Sequence, residues 1–381
     1  LMWHLTLTTK SGVVLALAAI FGFLPQAIVS IFAGVWADRV NRKIMILVSD
    51  SVIALSTLVL ALFMLSGVED LWLIFLVMAV RSIGAGVQMP AISALVPQIV
   101  PTDKLLTVNG INSSISSSLQ LLAPVAAAAV YSTMSLSAIL FIDVVTAVIG
   151  LSLLATIAVP TLSRAASDEK PSYFTDLKDG LNYIFSNQLV RWVMAIFAIV
   201  FLLIVAPSNL SPLMLVRTFG SDVWMLTVLE LSFGIGMLIG GALIAIFAKK
   251  IDRIGMIIGS SILFGILATA MGFTTNLILF FALFFVVGIA VPAFSTSAMT
   301  LLQETVEPER QGRVFGFLGI VMAVAMPLGM AILGPLADVV SVELLLIITG
   351  LATVVIAVVA VLLPSGRRAM AAAHASTGVK S

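Results

Sequence analysis

The 381-residue chain contains no cysteine and only two histidines, His4 and His374. The first absence excludes disulfides, thiolate catalysis and cysteine-ligated metals. The second leaves no cluster from which a histidine metal site could be built, so no metal is expected. Charge is scarce as well. Asp, Glu, Lys and Arg together make up 10% of the chain, where a soluble domain carries about 25%. The formal net charge is +1, so no basic face is available for nucleic acid. The sequence has no HExxH, no GxSxG and no P-loop. Zinc hydrolysis, serine-hydrolase chemistry and direct nucleotide drive therefore have no signature here, and neither an enzyme nor a cofactor is expected.

What remains is apolar. Hydrophobic residues form 61% of the chain, with 27 Gly and 14 Pro spread through the apolar runs. A surface with so little charge must face lipid, and Gly and Pro are frequent in membrane helices. A span needs about 20 apolar residues to cross a core of about 30 Å. On that rule eleven spans are predicted, at roughly 12–36, 44–66, 71–93, 103–131, 134–160, 190–215, 223–248, 254–274, 277–302, 310–337 and 343–363. Leu1 to Leu7 is apolar but short, with Lys10 close behind. It has no basic n-region and no cleavage site, and is read as the outer end of a first membrane helix that is largely missing from this chain.

Connections are short except for the polar stretch 161–189. Within it Phe174, Leu177, Leu181, Ile184 and Phe185 recur at helical spacing, with Asp176, Lys178, Asp179 and Asn182 between them. That pattern predicts an amphipathic helix on the membrane surface. The expected organisation is an N-terminal bundle over 1–160, a cytoplasmic linker over 161–189, a six-helix bundle over 190–363 and a tail over 364–381. With the linker inside, 16 of the 19 Lys and Arg fall on the cytoplasmic side. Lys10 and Arg217 lie outside and Arg81 lies within a span. The positive-inside rule then puts both termini in the cytoplasm, and the expected location is a bacterial inner membrane.

The loop Gly34-Val35-Trp36-Ala37-Asp38-Arg39-Val40-Asn41-Arg42-Lys43 joins two predicted spans. Gly34 permits close helix approach. Asp38 can cap the next helix or pair with Arg42, while Arg39, Arg42 and Lys43 face the anionic leaflet. Read on its own, the loop is a turn with positive-inside anchors. The string resembles motif A of the major facilitator superfamily, G-x-L-A-D-R-x-G-R-K, with Trp36 for Leu and Asn41 for the second Gly. Asn tolerates a left-handed backbone, so the turn is expected to survive. The resemblance implies an all-α, major-facilitator-type fold of two six-helix bundles. It also implies that this loop gates the transport cycle, with Asp50 in the next span as a partner. Ala245 to Ile254 aligns as a degraded copy in which Lys249 stands at the place of Asp38. Asp38→Asn is therefore expected to impair gating more than any change at Lys249. Pro90-Ala91-x-x-Ala94-x-x-Pro97 and Glu307-Pro308-Glu309-Arg310-x-Gly312-Arg313-Val314-Phe315 resemble span junctions of macrolide-efflux-type members.

Charges within spans cost about 2.5–3.5 kcal/mol each on insertion scales and should face water or partners. Arg81, in Arg81-Ser82-Ile83-Gly84-Ala85-Gly86, resembles motif B, whose Arg is linked to proton transfer. Asp143 and Glu230 are carboxyls among apolar neighbours, where burial favours the neutral form and allows proton uptake. Each could instead belong to a static ion pair. Span 103–131 is crowded with polar residues, among them Asn109, Asn112, Ser116 and Gln120. These suggest a cavity face, although small polar residues also join membrane helices. Pro124 sits where the antiporter motif C, G-P-x-x-G-G, would lie, with Ala at its Gly positions. The resemblance thus implies a monomeric secondary transporter that exports small amphipathic, macrolide-like molecules by proton antiport and alternating access. Its partners would be substrate, protons and the lipid bilayer. A metabolite exporter, for example of a siderophore, and a non-transporting scaffold or sensor are the competing readings.

Overall fold

The computed structural model describes residues 1–159, 173–247, 252–363 and 366–367. Among these there is no strand. The helices are α1 (Met2–Thr9), α2 (Gly12–Arg39), α3 (Arg42–Leu65), α4 (Leu71–Ile99), α5 (Leu105–Thr133), α6 (Leu136–Thr156), α7 (Tyr173–Ser186), α8 (Gln188–Val205), α9 (Ser211–Thr218), α10 (Val223–Phe247), α11 (Arg253–Phe273), α12 (Leu277–Thr305), α13 (Pro308–Val339) and α14 (Val342–Leu362). Eleven membrane-length apolar helices are formed among the described residues, with α8 and α9 running together as one of them. Each coincides with an expected span to within a few residues. The largest excess is in α4, which continues through Pro90 and Pro97 to Ile99. Proline is tolerated inside membrane helices where neighbours satisfy the freed carbonyls.

The chain divides into two compact units. The first comprises Leu1–Thr9 and Val14–Ala166, and the second Lys10–Val13 and Ser167–Ser381. In unit 1, α3 packs against both α4 and α6. Leu5 of α1, Ala18 of α2, Leu60 of α3, Ile74 of α4 and Leu140 of α6 meet in one buried apolar cluster. In unit 2, α11 lies in the same way against α12 and α14, and α10 packs on α12. The α10–α12 crossing depends on absent side chains. A Cβ on Gly236 would lie 2.3 Å from the Phe285 carbonyl oxygen, and one on Gly288 would lie 2.4 Å from that of Phe233. Small residues let membrane helices approach at backbone distance, where dispersion replaces the missing hydrophobic drive.

Three local features differ from what the pattern predicts. The start of α3 is capped by Asn41, whose side chain accepts from the Lys43 and Ile44 amides. Asn41 has extended backbone angles, φ −62° and ψ 116°, so neither a left-handed turn nor a cap from Asp38 is needed. α7 packs on α8 and α13, with Tyr183 and Ile184 buried and Phe185 exposed, while the side chains of Phe174 and Leu177 lie outside the described residues. The third is a π-helical turn over Ala206–Leu210 between α8 and α9; Pro207 within it and Pro212 just after it remove two backbone donors.

Candidate functional site

Residues of unit 1 line an open cavity of about 970 Å³. Its polar lining follows from helix geometry. Side chains three, four or seven residues apart share a helix face. On α4 these are Arg81, Ala85 and Gln88; on α3, Asp50 and Ile53; on α6, Asp143, Thr146, Ala147 and Gly150. Because α3 lies between α4 and α6, three faces that are distant in sequence converge. The remaining wall is largely apolar or aromatic, including Trp3, Phe23, Met78 and Tyr131.

Two polar pairs stand in this wall. The Arg81 guanidinium donates to the Asp143 carboxylate and to the Thr57 hydroxyl. The Gln88 amide donates to Asp50. The side chains of Arg81 and Asp143 remain 33% and 44% exposed, so water or a solute can reach the pair. Asp50 therefore sits in the cavity wall with Gln88 as its partner. Sequence reasoning missed His4 and Tyr131, whose side chains lie 3.0 Å apart, Nδ1 to hydroxyl, and also line the cavity. A polar residue in the short apolar stretch before Lys10 was the available signal.

The other candidates fall elsewhere. Asn109, Asn112, Ser116 and Gln120 lie exposed along α5, while that helix reaches the cavity through Ala127, Val130 and Tyr131. Pro124 is half-buried in the same helix. Glu230 is exposed on α10, in unit 2. In the loop motif, the side chains of Gly34, Asp38 and Arg39 lie outside the described residues, as does Lys249. The two cations that follow are placed. Arg42 donates to the Ala94 carbonyl at 3.0 Å and to the Gln98 side chain at 3.4 Å. Lys43 Nζ donates to the carbonyls of Ala155 and Ile157 at 2.8 and 2.7 Å. Both cations thus meet carbonyls near helix C-termini, where the helix dipole favours positive charge. They tie the start of α3 to the ends of α4 and α6. No group of three or more His, Asp or Glu able to hold a metal occurs among the described residues.

Comparison with known proteins gives a consistent picture. The family model described as Major Facilitator Superfamily matches residues 2–255 and 224–378. The chain is 31% identical over 362 residues to Macrolide efflux protein A of Streptococcus pyogenes, covering 94% of this chain and 89% of that one. It is also 31% identical over 323 residues to Macrolide efflux protein A of Enterococcus faecalis, covering 84% and 99%. Among solved structures, the nucleoside transporter NupG superposes with a TM-score of 0.66 at 16% identity, covering 94% of this chain and 92% of that one. A bacterial homologue of the human lysosomal transporter Spinster, inward-facing and unoccupied, superposes with a TM-score of 0.63 at 15% identity, covering 99% and 93%. At such identities the structural likeness speaks for the fold alone.

Proposed function

The chain belongs to the major facilitator superfamily, and from that premise we propose that it exports small amphipathic molecules, macrolide-like antibiotics among them, by proton antiport through alternating access. The reading rests on one observation above all: a 970 Å³ cavity with a largely apolar wall that carries the open Arg81–Asp143 pair. The volume suits a drug-sized solute, since ligand sites commonly measure about 300–1,000 Å³. One guanidinium stands against two carboxylates, Asp50 and Asp143, so the cavity carries a surplus negative charge that favours a cationic amphiphile.

Asp143 is the proton carrier in this scheme. Protonating it removes the counter-ion of Arg81 within the bilayer, where an unpaired charge is costly. Arg81 then keeps the Thr57 hydroxyl as an acceptor and must find another for the bond it loses, with Asp50 a second carboxylate of the same cavity wall. Substrate and proton thereby compete for one charge balance, which is the requirement for exchange. Glu230 on α10 is a second carboxyl to test.

The accompanying topology follows from the basic residues. The Gly34–Lys43 loop, the 161–189 linker and both termini face the cytoplasm of a bacterial inner membrane, and the chain acts as a monomer of two transmembrane bundles. The loop gates the cytoplasmic side, with Asp38 as its acidic centre. The deciding experiment compares macrolide accumulation in cells with and without the protein, before and after a proton-gradient uncoupler. Lower accumulation that the uncoupler reverses supports the reading. Unchanged accumulation in both conditions overturns it. Gradient-driven efflux that survives both Asp143→Asn and Glu230→Gln removes the coupling assignment.

A further inference from the structure

Unit 2 carries a polar cleft of about 350 Å³ between α7 and α13 that the export scheme does not use. Its walls follow from helix spacing. Asn182, Tyr183 and Ser186 stand three, four and seven positions after Asp179 on α7, and Arg310 and Arg313 are three apart on α13, so each set occupies one helix face. Gly180 lets the two helices touch: a Cβ there would lie 3.0 Å from Arg313 Cβ and 3.4 Å from the Arg313 carbonyl oxygen. The Arg310 guanidinium lies over the Tyr183 ring, 4.8 Å from its centroid, and Tyr183 is buried. A rigid aromatic face thus holds one cation at the cleft wall.

We propose that this cleft binds a phosphoryl group, that of an anionic phospholipid headgroup in the leaflet at this end of unit 2. Each guanidinium presents a planar fork of N–H donors that matches two phosphate oxygens at once, and the Asn182 amide adds further donors. The acids nearby meet the cations only loosely. Glu307 Oε2 lies 3.3 Å from Arg310 Nε, and Asp179 Oδ2 lies 3.8 Å from Arg313 Nη1, where a charge-assisted hydrogen bond measures about 2.7–2.9 Å. Arg253 of the same unit shows the full version, with bonds of 2.8 and 2.7 Å to Glu304. The side chains of the two loose pairs are all roughly half exposed, so an entering anion gives up little by displacing those acids. Both cations also stand in the first two turns of α13, at the positive end of its dipole, where an anion is favoured.

Placement favours a lipid over a soluble phosphate. α7 leads into the span of α8, and α13 begins another span, so the cleft lies at the depth where spans leave the hydrocarbon and headgroups begin. Phe185 stands beside the cleft face, next to Ser186 and three positions after Asn182, and it is exposed. An exposed ring adjoining a basic cleft offers neighbouring surfaces to an acyl chain and its headgroup. The proposal rests on the topology given above, which puts this end on the cytoplasmic side, where the leaflet is anionic.

The test counts lipids bound to the purified full chain in detergent by native mass spectrometry. Phosphatidylglycerol is expected to bind about tenfold more tightly than phosphatidylcholine. Arg310→Gln combined with Arg313→Gln should weaken phosphatidylglycerol about fivefold or more, and the matching pair of Lys substitutions, which keeps the charge but loses the fork, should fall between. Tyr183→Leu should weaken binding about threefold through Arg310, while Tyr183→Phe, which keeps the ring, should not. Lys104→Gln removes an exposed cation of unit 1 and should change nothing, which separates the cleft from general attraction to basic residues. Equal phosphatidylglycerol binding by the wild type, the doubly substituted Gln protein and Tyr183→Leu overturns the site. Displacement of the lipid by an equal concentration of glycerol 1-phosphate gives the cleft to a soluble phosphate and overturns the lipid assignment; failure to compete supports it. A protein that moves no macrolide but keeps the binding contrast overturns the export reading and leaves the site standing.

Discussion

The two transmembrane bundles repeat the same local plan with opposite chemistry at equivalent positions. α4 and α12 are each 29 residues long, and α6 and α14 each 21. Aligned from their first residues, Arg81 corresponds to Val287, Gln88 to Phe294 and Asp143 to Thr349. Aligning α3 with α11 from Arg42 and Arg253 sets Asp50 against Ser261. Each of these four polar residues of the unit 1 cavity thus has a counterpart in unit 2, and each counterpart is buried. Ser261 and Thr349 return their hydroxyl hydrogens to Ile257 and Leu345 of their own helices. Phe294 stacks with Phe197 at 5.4 Å and meets Phe264 edge-on at 6.3 Å. Duplicated architecture therefore does not mean duplicated work: one half keeps charges in a wet cavity, and the other has turned the same positions into dry packing.

The first prediction would break this comparison outright. Asp143→Asn should reduce uncoupler-sensitive export at least tenfold, and Arg81→Leu should do so as severely. Thr349→Val, at the matching site of unit 2, should stay within about twofold of wild type. Efflux from energised cells measures all three, and equal losses at Asp143 and Thr349 would end the idea that the halves divide their labour.

A second test runs the substitution the other way. Val287→Arg places a charge at a buried position of α12. It should cost about 2.5–3.5 kcal/mol, visible as a sharp fall in inserted, detergent-stable protein. Adding Thr349→Asp should recover part of that yield if α12 and α14 reproduce the geometry of α4 and α6, because neighbouring substitutions couple when they share an interaction. No recovery would mean the register alone does not carry the pairing.

Third, Asp50→Asn removes the surplus negative charge of the cavity while leaving an oxygen to accept from Gln88. A several-fold rise in the apparent KM for a cationic substrate is expected, with little change for a neutral one. Ser261→Ala should affect neither. A uniform loss for both substrates would assign Asp50 a structural role.

Much of this was legible in the sequence, for physical reasons. Apolar runs of about 20 residues leave the backbone no alternative to a helix in lipid, so the spans could be placed to within a few residues. A lone Arg81 or Asp143 in such a run announces itself by its cost. Their pairing was not legible, because it depends on α3 bringing α4 and α6 together across 62 positions of sequence. Nor was the exposure of Asn109 and Asn112 on α5: polar density does not say which way a helix turns. The π-turn at Ala206–Leu210 had a signal in Pro207 and Pro212, two prolines within one apolar run.

The smallest effect is expected at the ends where α3 and α11 begin. At the loop end of α3, Arg42 meets the neutral Gln98 at 3.4 Å; at the corresponding end of α11, Arg253 grips Glu304 through two bonds of 2.8 and 2.7 Å. Unit 2 thus carries a bidentate charge pair at this end. Both members of the pair are about one-third exposed, and ion pairs of that kind contribute about 1 kcal/mol or less. Glu304→Gln should accordingly lower the thermal midpoint by only about 2–4 °C and change export less than threefold. Gln98→Glu should strengthen the first unit by a similar amount and slow transport slightly, since the start of α3 must shift against α4 if the Gly34–Lys43 loop gates. A faster transporter after Gln98→Glu would show that this strut does not resist the motion.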